Sequence, residues 1–351
     1  MYFLFLLVRY LFFLLQVMKK LYFTFIVLLL VIISGRNKVS AQIVRAEDLK
    51  EWVSYLSSDE MRGRTNGSPE MKTAADWISR MFIEAGLKPV LNDGSYIQNY
   101  SFIGRQQQTT EERNVIGLLP GSDPALKDQY IILSAHFDHI GIKKGVTGDS
   151  ICNGADDNAA GTSTLIAIAR AIGMSGIKPG RNIVFAAFSG EERGMKGSRY
   201  FVANTPVPLS GIYADLNFEM IGHSESFGKH NFYMTGCKLS NLDDLIKSYP
   251  DAGEITLIDT IQMANSLFYA SDNIAFSRVS VSPEGITSGI PSGTFATTTM
   301  APYIHSVTDE ADKFDFDNMA ELTTYFAKVV LWLSDSRQEV SWTDPAFTRA
   351  K

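Results

Sequence analysis

Apolar residues recur along the chain with the two spacings that distinguish helices from strands. Those from Leu49 to Leu56 repeat at helical spacing, whereas residues 130–135 and 182–188 are short, continuous apolar runs typical of buried strands. The pattern predicts helices over residues 46–56, 69–86, 161–172, 197–203, 239–249 and 314–333. It predicts strands over residues 96–102, 114–119, 130–135, 182–188, 212–218 and 255–261.

Strands that alternate with helices predict an α/β fold. We expect a single domain over residues 42–351. It should have three layers: a mixed, mostly parallel twisted sheet with helices on both faces. Residues 285–299 are rich in Gly, Ser and Thr, and they predict a surface loop near the functional site.

The first 41 residues follow a different pattern. Residues 1–15 are almost wholly apolar, and Met18-Lys19-Lys20 precedes a second apolar run over residues 21–33 and the stretch Val39-Ser40-Ala41. A basic start, an apolar centre and a small-x-small end predict a secretory signal peptide cleaved after Ala41, with Met18 as the true start. The alternative is a retained membrane anchor. Under either interpretation the working domain lies outside the cytoplasm, in the periplasm or the extracellular medium.

Composition and charge exclude several classes of function. With 45% hydrophobic residues, 20% charged residues and a net charge of −6, the chain is neither disordered nor basic enough for a nucleic-acid-binding protein. Its two cysteines, Cys152 and Cys237, belong to no CxxC motif or Cys/His cluster, so a zinc finger is excluded. Export permits a disulfide between them, but sequence spacing does not decide whether it forms.

Histidines and carboxylates directly follow three predicted strands. His136 follows residues 130–135, and Asp138 is placed to accept the second imidazole N–H and so fix the tautomer. Because ligands of open α/β sheets bind at the carboxyl ends of strands, we expect these residues at the functional site. For His136 taken alone, a turn histidine bonded to backbone is the alternative.

Two pairs of adjacent carboxylates point to metal ions. Asp156 and Asp157 precede an apolar helix, where capping accounts for one carboxylate but not for both. Asp156 is the candidate that bridges two cations. Glu191 and Glu192 follow residues 182–188. Their mutual repulsion is relieved if Glu192 binds a cation while Glu191 acts as general base toward a metal-activated water.

Glu219 and His305 complete a possible shell around two zinc ions. Glu219 follows residues 212–218, and His305 lies in a later loop. Zinc takes nitrogen and oxygen ligands, and carboxylate-rich two-metal sites are established in hydrolases. The other histidines of the chain, which have no comparable setting, are His139, His223 and His230.

The stretches that carry these residues resemble the co-catalytic zinc peptidases, family twenty-eight of the metallopeptidases. That family includes bacterial leucyl aminopeptidase and the glutamate carboxypeptidases. The resemblance runs from about Glu47 to the end of the chain. The matching residues are 63–64 (GR), 67–68 (GS), 114–117 (NVIG), 134–141 (SAHFDHIG), 154–161 (GADDNAAG), 188–194 (FSGEERG), 217–222 (NFEMIG), 271–273 (SDN) and 304–309 (IHSVTD).

The resemblance implies a zinc-exopeptidase-like fold and an aminopeptidase that uses two zinc ions to hydrolyse short peptides. It implies that one ion is bound by His136 and Glu219, and the other by Glu192 and His305. It implies that Asp156 bridges both ions and is followed by a cis peptide bond to Asp157. Glu191 is implied as the general base.

The chain departs from the family pattern at two points. Family members usually have Asp where this chain has Glu219, so Asp215 is a fallback ligand. Many members carry a protease-associated domain, for which residues 86–114 leave no room.

Three alternative functions stay open. A carboxypeptidase needs a basic residue for the substrate carboxylate, and Arg278 is the obvious candidate. A glutaminyl cyclase of the same fold binds one zinc and does not need His136. A metal-free receptor relative would have lost ligands or the base.

Overall fold

The computed structural model describes Met18 and residues 44–348 except 105–106, 146, 262, 280–288 and 300–301. The predicted signal peptide and its cleavage after Ala41 lie, apart from Met18, outside the described residues and stay predictions. From Val44 onward the chain forms one compact unit. Within the described residues, no helix has both the length and the apolar composition that a membrane crossing requires.

The helices and strands follow the predicted order with several additions. The helices are α1 (Ala46–Leu56), α2 (Pro69–Glu84), α3 (Gly161–Gly173), α4 (Lys196–Ala203), α5 (Leu242–Lys247), α6 (Ala264–Leu267), α7 (Asn273–Ser277), α8 (Phe316–Asp335) and α9 (Pro345–Thr348). The strands are β1 (Ile97–Ile103), β2 (Thr109–Leu119), β3 (Tyr130–His136), β4 (Gly141–Ile142), β5 (Ile151–Cys152), β6 (Asn182–Phe188), β7 (Ile212–Phe218), β8 (Asn231–Met234), β9 (Thr256–Ile258) and β10 (Ser292–Ala296).

Side-chain caps start two of the helices. The Ser68 hydroxyl accepts a hydrogen bond from the Met71 N–H, with Pro69 in the first turn of α2. The Asp315 carboxylate accepts one from the Asn318 N–H at the start of α8. Each cap satisfies a backbone donor that the helix itself leaves unpaired.

The described strands form an eight-stranded mixed sheet and a separate β4–β5 pair. The order in the large sheet is β1-β2-β6-β3-β7-β10-β8-β9. The four central strands, β6-β3-β7-β10, are parallel to one another, and the strands that flank them, β2 and β8, run antiparallel to β6 and β10. The carboxyl ends of the central strands therefore meet at one edge, where ligands bind in such sheets.

Helices cover both faces of the sheet, as predicted. Ile131 and Leu133 of β3 belong to the larger core, together with α1, α2, α3 and α8. Ile132, between them, points to the opposite face and packs in a second core with residues of α4 and α7. Successive strand side chains alternate between faces, so one buried strand contributes to both cores. The three-layer α/β prediction is confirmed.

The prediction of a surface loop over residues 285–299 is wrong for β10. This strand is fully buried between β7 and β8. Its polar side chains are satisfied internally: the Ser292 hydroxyl donates to the Asn273 carbonyl, and the Thr294 hydroxyl donates to the Asn273 side chain. A polar strand can occupy a sheet centre when each polar group has a partner.

The open question of the cysteines is answered by the structure. Cys152 and Cys237 are both buried free thiols.

Glu112 on β2 makes the stability of the fold depend on pH. It is buried and accepts a 2.7 Å hydrogen bond from the Gly67 N–H. Burial raises the pKa of this carboxyl from 4.5 to about 7. The folded protein therefore binds this proton more tightly than the unfolded chain. The contribution of Glu112 to stability decreases as pH rises from about 4.5 to about 7 and stays low above that.

Glu112→Gln should remove this dependence and keep an acceptor for Gly67. We expect the variant to gain up to about 3 kcal/mol in free energy of unfolding over wild type at pH 8, and much less at pH 5. Urea unfolding at both pH values measures this. Glu111→Gln, at the exposed neighbouring position, is the control. An equal gain in free energy of unfolding at both pH values would contradict the raised pKa of Glu112.

Candidate metal centre

Imidazoles and carboxylates from five chain segments converge at the carboxyl edge of the parallel strands. The contributing segments are the end of β3, the turn Ala155–Ala160 before α3, the turn Glu191–Arg193 after β6, the residue after β7, and the loop around His305. Their side chains form two groups that share one carboxylate, that of Asp157.

The first group contains His136, Asp157 and Glu219. The His136 Nε2 atom lies 3.3 Å from Asp157 Oδ1 and 3.3 Å from Glu219 Oε1. The Ser271 hydroxyl donates a 2.6 Å hydrogen bond to the same Glu219 oxygen and fixes its position. Burial by itself lowers the pKa of His136, but the surrounding carboxylates outweigh it and raise the pKa well above its usual value.

The second group contains His305, Glu192 and the other oxygen of Asp157. The His305 Nε2 atom lies 3.0 Å from Glu192 Oε1 and 3.2 Å from Asp157 Oδ2. Hydrogen bonds to these two carboxylates raise the pKa of His305 to about 10. His139 lies beside this group, with its Nδ1 atom 3.1 Å from Glu192 Oε1 and 3.7 Å from Asp157 Oδ2.

The carboxylates of Asp157 and Glu192 are held in their ionised form. Burial raises the pKa of Asp157, but the hydrogen bonds from His136 and His305 outweigh it and leave the pKa well below its usual range. Burial also raises the pKa of Glu192, but the neighbouring imidazoles outweigh burial, and the net result is a lowered pKa. Ionised carboxylates are the form that binds metal ions.

The structure places Asp157, and not Asp156, the predicted bridge, between the two groups. Asp156 turns away from both groups: its oxygens accept hydrogen bonds from the Gly222 N–H at 2.9 Å and from the Tyr303 hydroxyl at 3.0 Å. Asp157 is the residue whose two oxygens face the two groups. The predicted cis bond is likewise displaced, since it joins Asp157 to Asn158. The turn is kinked at Asp157 and Asn158, and the side chains of Asp156 and Asp157 have different partners.

Two further carboxylates fix the backbone of the acidic pairs. Asp309 accepts hydrogen bonds from the N–H groups of Asp156 and Asp157, at 2.8 and 3.1 Å. Asp138 accepts hydrogen bonds from the N–H groups of Glu191 and Glu192, at 3.1 and 3.3 Å. Both carboxylates therefore position the residues that carry the chemistry.

The predicted contact between Asp138 and His136 takes a different form. His136 Nδ1 lies 3.2 Å from the backbone carbonyl of Asp138 and 3.7 Å from its carboxylate. The backbone carbonyl is therefore the closer acceptor for the second imidazole N–H.

Glu191 lies beside the first group and is suited to accept a proton. Burial raises the pKa of its carboxyl well above the usual range. The charge of His136 opposes this shift, and the charge of the nearby Glu219 adds to it. The fallback ligand Asp215 is buried and accepts a 2.7 Å hydrogen bond from Ser134 within the sheet. Neither of its oxygens is among the contacts of the two groups described here.

Arg64 is a site residue to which the sequence analysis assigned no role. It is fully buried and donates hydrogen bonds to the carbonyls of Phe137 and Gly154, each at 2.8 Å, and to those of Leu56 and Asn153. The guanidinium thus joins the segment after β3 to the turn that carries Asp157. Its sequence signal is the Gly63-Arg64 pair, one of the stretches that resemble the family.

The donor atoms of both groups fit zinc. Ligand atoms about 2.1 Å from a tetrahedral zinc lie about 3.4 Å from one another. The nitrogen–oxygen separations of 3.0 to 3.3 Å at His136 and His305 are close to that value. With Asp157 between the groups, the arrangement can accommodate two ions that share one carboxylate.

The roles of the adjacent aspartates can be separated by substitution. We expect Asp157→Asn to retain less than one equivalent of zinc, because both groups lose their shared anionic ligand. Asp156→Asn keeps an acceptor for Gly222 and should retain the zinc content of wild type. Metal analysis of the dialysed proteins measures both. An equal loss of zinc in the two variants would indicate that Asp156 is also a zinc ligand.

Comparison with known proteins places the chain among peptidases. The model of Peptidase family M28 matches residues 114–330. Leucine aminopeptidase 1 of Arthroderma otae is 26% identical over 231 residues, which cover 61% of this chain and 56% of that protein. The matches cover from 17% to 70% of the length of the curated relatives compared.

Solved structures establish the same fold. BSAP, a zinc aminopeptidase from Bacillus subtilis, superposes with a TM-score of 0.64 at 14% identity, covering 88% of this chain and 98% of that chain. The glutaminyl cyclase of Porphyromonas gingivalis superposes with a TM-score of 0.60 at 16% identity, covering 82% and 98%. At such identities the likeness concerns the fold alone.

Proposed function

Because the chain belongs to peptidase family M28, we propose that it is an exported aminopeptidase that removes N-terminal residues from short peptides with the help of two zinc ions. The observation that carries the proposal is the carboxylate of Asp157, whose oxygens face two separate groups of zinc-type donors, with Glu191 beside them. Export rests on the N-terminal sequence pattern and predicts a mature protein that begins at Gln42.

The residues of the site have separate roles in the hydrolysis. When bound, two zinc ions activate a water molecule and polarise the scissile carbonyl. Glu191 accepts a proton from that water as the water oxygen bonds to the carbonyl carbon. Glu191 then gives the proton to the leaving nitrogen as the C–N bond breaks. Asp138 holds the N–H of Glu191 and so keeps the base in place.

A small pocket beside Glu219 favours an amino-terminal over a carboxy-terminal substrate. It has a volume of about 60 Å³, and Glu219 is the charged residue of its described lining. The other described residues of the lining are neutral: Met220, Tyr233, Thr235, Leu267, Ala270, Thr294, Ala296, Thr298, Thr299 and Ile304. A carboxylate beside a neutral pocket attracts a substrate ammonium and repels a substrate carboxylate.

Arg278 gives little support to the carboxypeptidase alternative. Its side chain is exposed and lies 5.6 Å from the ring centroid of Tyr269.

Glu191→Gln tests the role of the general base. We expect kcat on aminoacyl-nitroanilides to decrease by roughly 100- to 10,000-fold, the range typical of a lost proton-transfer residue, with zinc content unchanged. Glu225→Gln, at an exposed glutamate that pairs with His223, should keep full activity. Hydrolysis by Glu191→Gln within a few-fold of wild type would show that this residue is not the base.

A substrate panel tests the reaction itself. We expect cleavage of alanyl- and leucyl-nitroanilides, loss of that activity with a chelator, and slower cleavage of glutamyl substrates because Glu219 repels them. Peptides with a blocked N-terminus should resist cleavage. Cleavage of N-blocked but not free peptides would favour a carboxypeptidase. Cyclisation of N-terminal glutamine with one bound zinc and no peptide cleavage would favour a glutaminyl cyclase.

A further inference from the structure

His139 is a buried histidine whose ring nitrogens have no hydrogen-bond partner in the described part of the chain. The residue is 0% exposed, and neither Nδ1 nor Nε2 makes a hydrogen bond. Nδ1 lies 3.1 Å from Glu192 Oε1, but the ring does not direct an N–H bond at that oxygen. Buried polar atoms are usually paired, so an unpaired imidazole beside two carboxylates requires an explanation.

The position of the His139 ring is fixed by its surroundings. Its backbone N–H donates to the carbonyl of Arg64 at 3.1 Å. Gly154 packs directly against the ring, since a Cβ atom at that position would lie 2.5 Å from His139 Cγ. The imidazole is therefore held in place before any ligand arrives, which reduces the entropy lost on binding.

The nitrogen of His139 converges with donor atoms of three other residues. Single ligand atoms of His139, Asp157, Glu192 and His305 all lie within 4.8 Å of one another. The distances from His139 Nδ1 to the two carboxylates, 3.1 and 3.7 Å, bracket the separation of about 3.4 Å between ligands of tetrahedral zinc.

We propose that His139 is a ligand of the zinc ion held by Glu192 and His305, an inference that rests on the proposed two-zinc site. That position then has four protein ligands, whereas the position at His136 and Glu219 has three with Asp157. A zinc position closed by four protein ligands holds its ion firmly, and a position with three leaves room for water or substrate. The two ions are unequal: one is retained and the other exchanges.

Cadmium binding to the wild-type protein tests the ligand assignment directly. The chain contains five histidines, so labelled imidazole nitrogens give a simple NMR spectrum. With two equivalents of NMR-active cadmium, we expect metal–nitrogen coupling to three histidines: His136, His139 and His305. Coupling to two histidines only, with His139 uncoupled, would overturn the proposal.

Zinc affinities of His139→Phe provide the second test, because phenylalanine keeps the ring and removes its nitrogens. In competition with a chromogenic chelator, we expect the tighter zinc constant to weaken by more than the roughly 10- to 100-fold caused by losing a residue outside the ligands. The weaker constant should change by only a few-fold. His223→Phe, which replaces a buried histidine stacked on Tyr303, should leave both constants unchanged.

The outcomes separate this proposal from the peptidase function. A loss of roughly 100-fold or less in the tighter constant, or an equal loss in both, would overturn the assignment of His139 as a ligand. If His139→Phe does not fold, the cadmium spectrum of wild type decides. Absence of peptidase activity in a protein that shows three coupled histidines would overturn the proposed function and leave the four-ligand position intact.

Discussion

The crowding of carboxylates at the carboxyl edge of the sheet is the constraint on which the rest of the site depends. Asp157, Glu192 and Glu219 come from three chain segments, and each lies within 3.3 Å of the imidazole of His136 or His305. Like charges that are partly removed from water repel strongly unless positive charge lies between them. The histidines provide part of that charge in the metal-free protein, and the spacing of the oxygens leaves positions for cations.

Both pairs of adjacent carboxylates are oriented by the same kind of contact. Asp309 binds two consecutive N–H groups at Asp156, and Asp138 binds two consecutive N–H groups at Glu191. In each case a carboxylate that faces backbone fixes the direction in which a neighbouring carboxylate points. Hydrogen bonds of this kind are charge-assisted and therefore strong. Residues that look like ligands in the sequence thus divide into those that face the site and those that orient it.

Apolar periodicity predicts most of the fold because it follows directly from which faces are buried. It misses β10, whose Ser and Thr side chains bond to Asn273 and so need no apolar signature. Strand ends predict the region of the site, because parallel strands end at one edge. The choice between Asp156 and Asp157 depends on backbone direction inside a kinked turn, which residue types do not encode. The sequence pattern does not predict His139 as a site residue, because the residues that it contacts are distant in sequence.

Arg64 adds a permanent positive charge close to these acids. Its guanidinium stays protonated at neutral pH, since even burial lowers its pKa only to about 10. It holds together the carbonyls of two segments that carry Asp157 and His136. The guanidinium therefore fixes the backbone of both segments through hydrogen bonds that use none of the metal-binding side chains. Because the chain itself makes these bonds, the backbone of the site can form during folding, and metal loading can follow as a separate step.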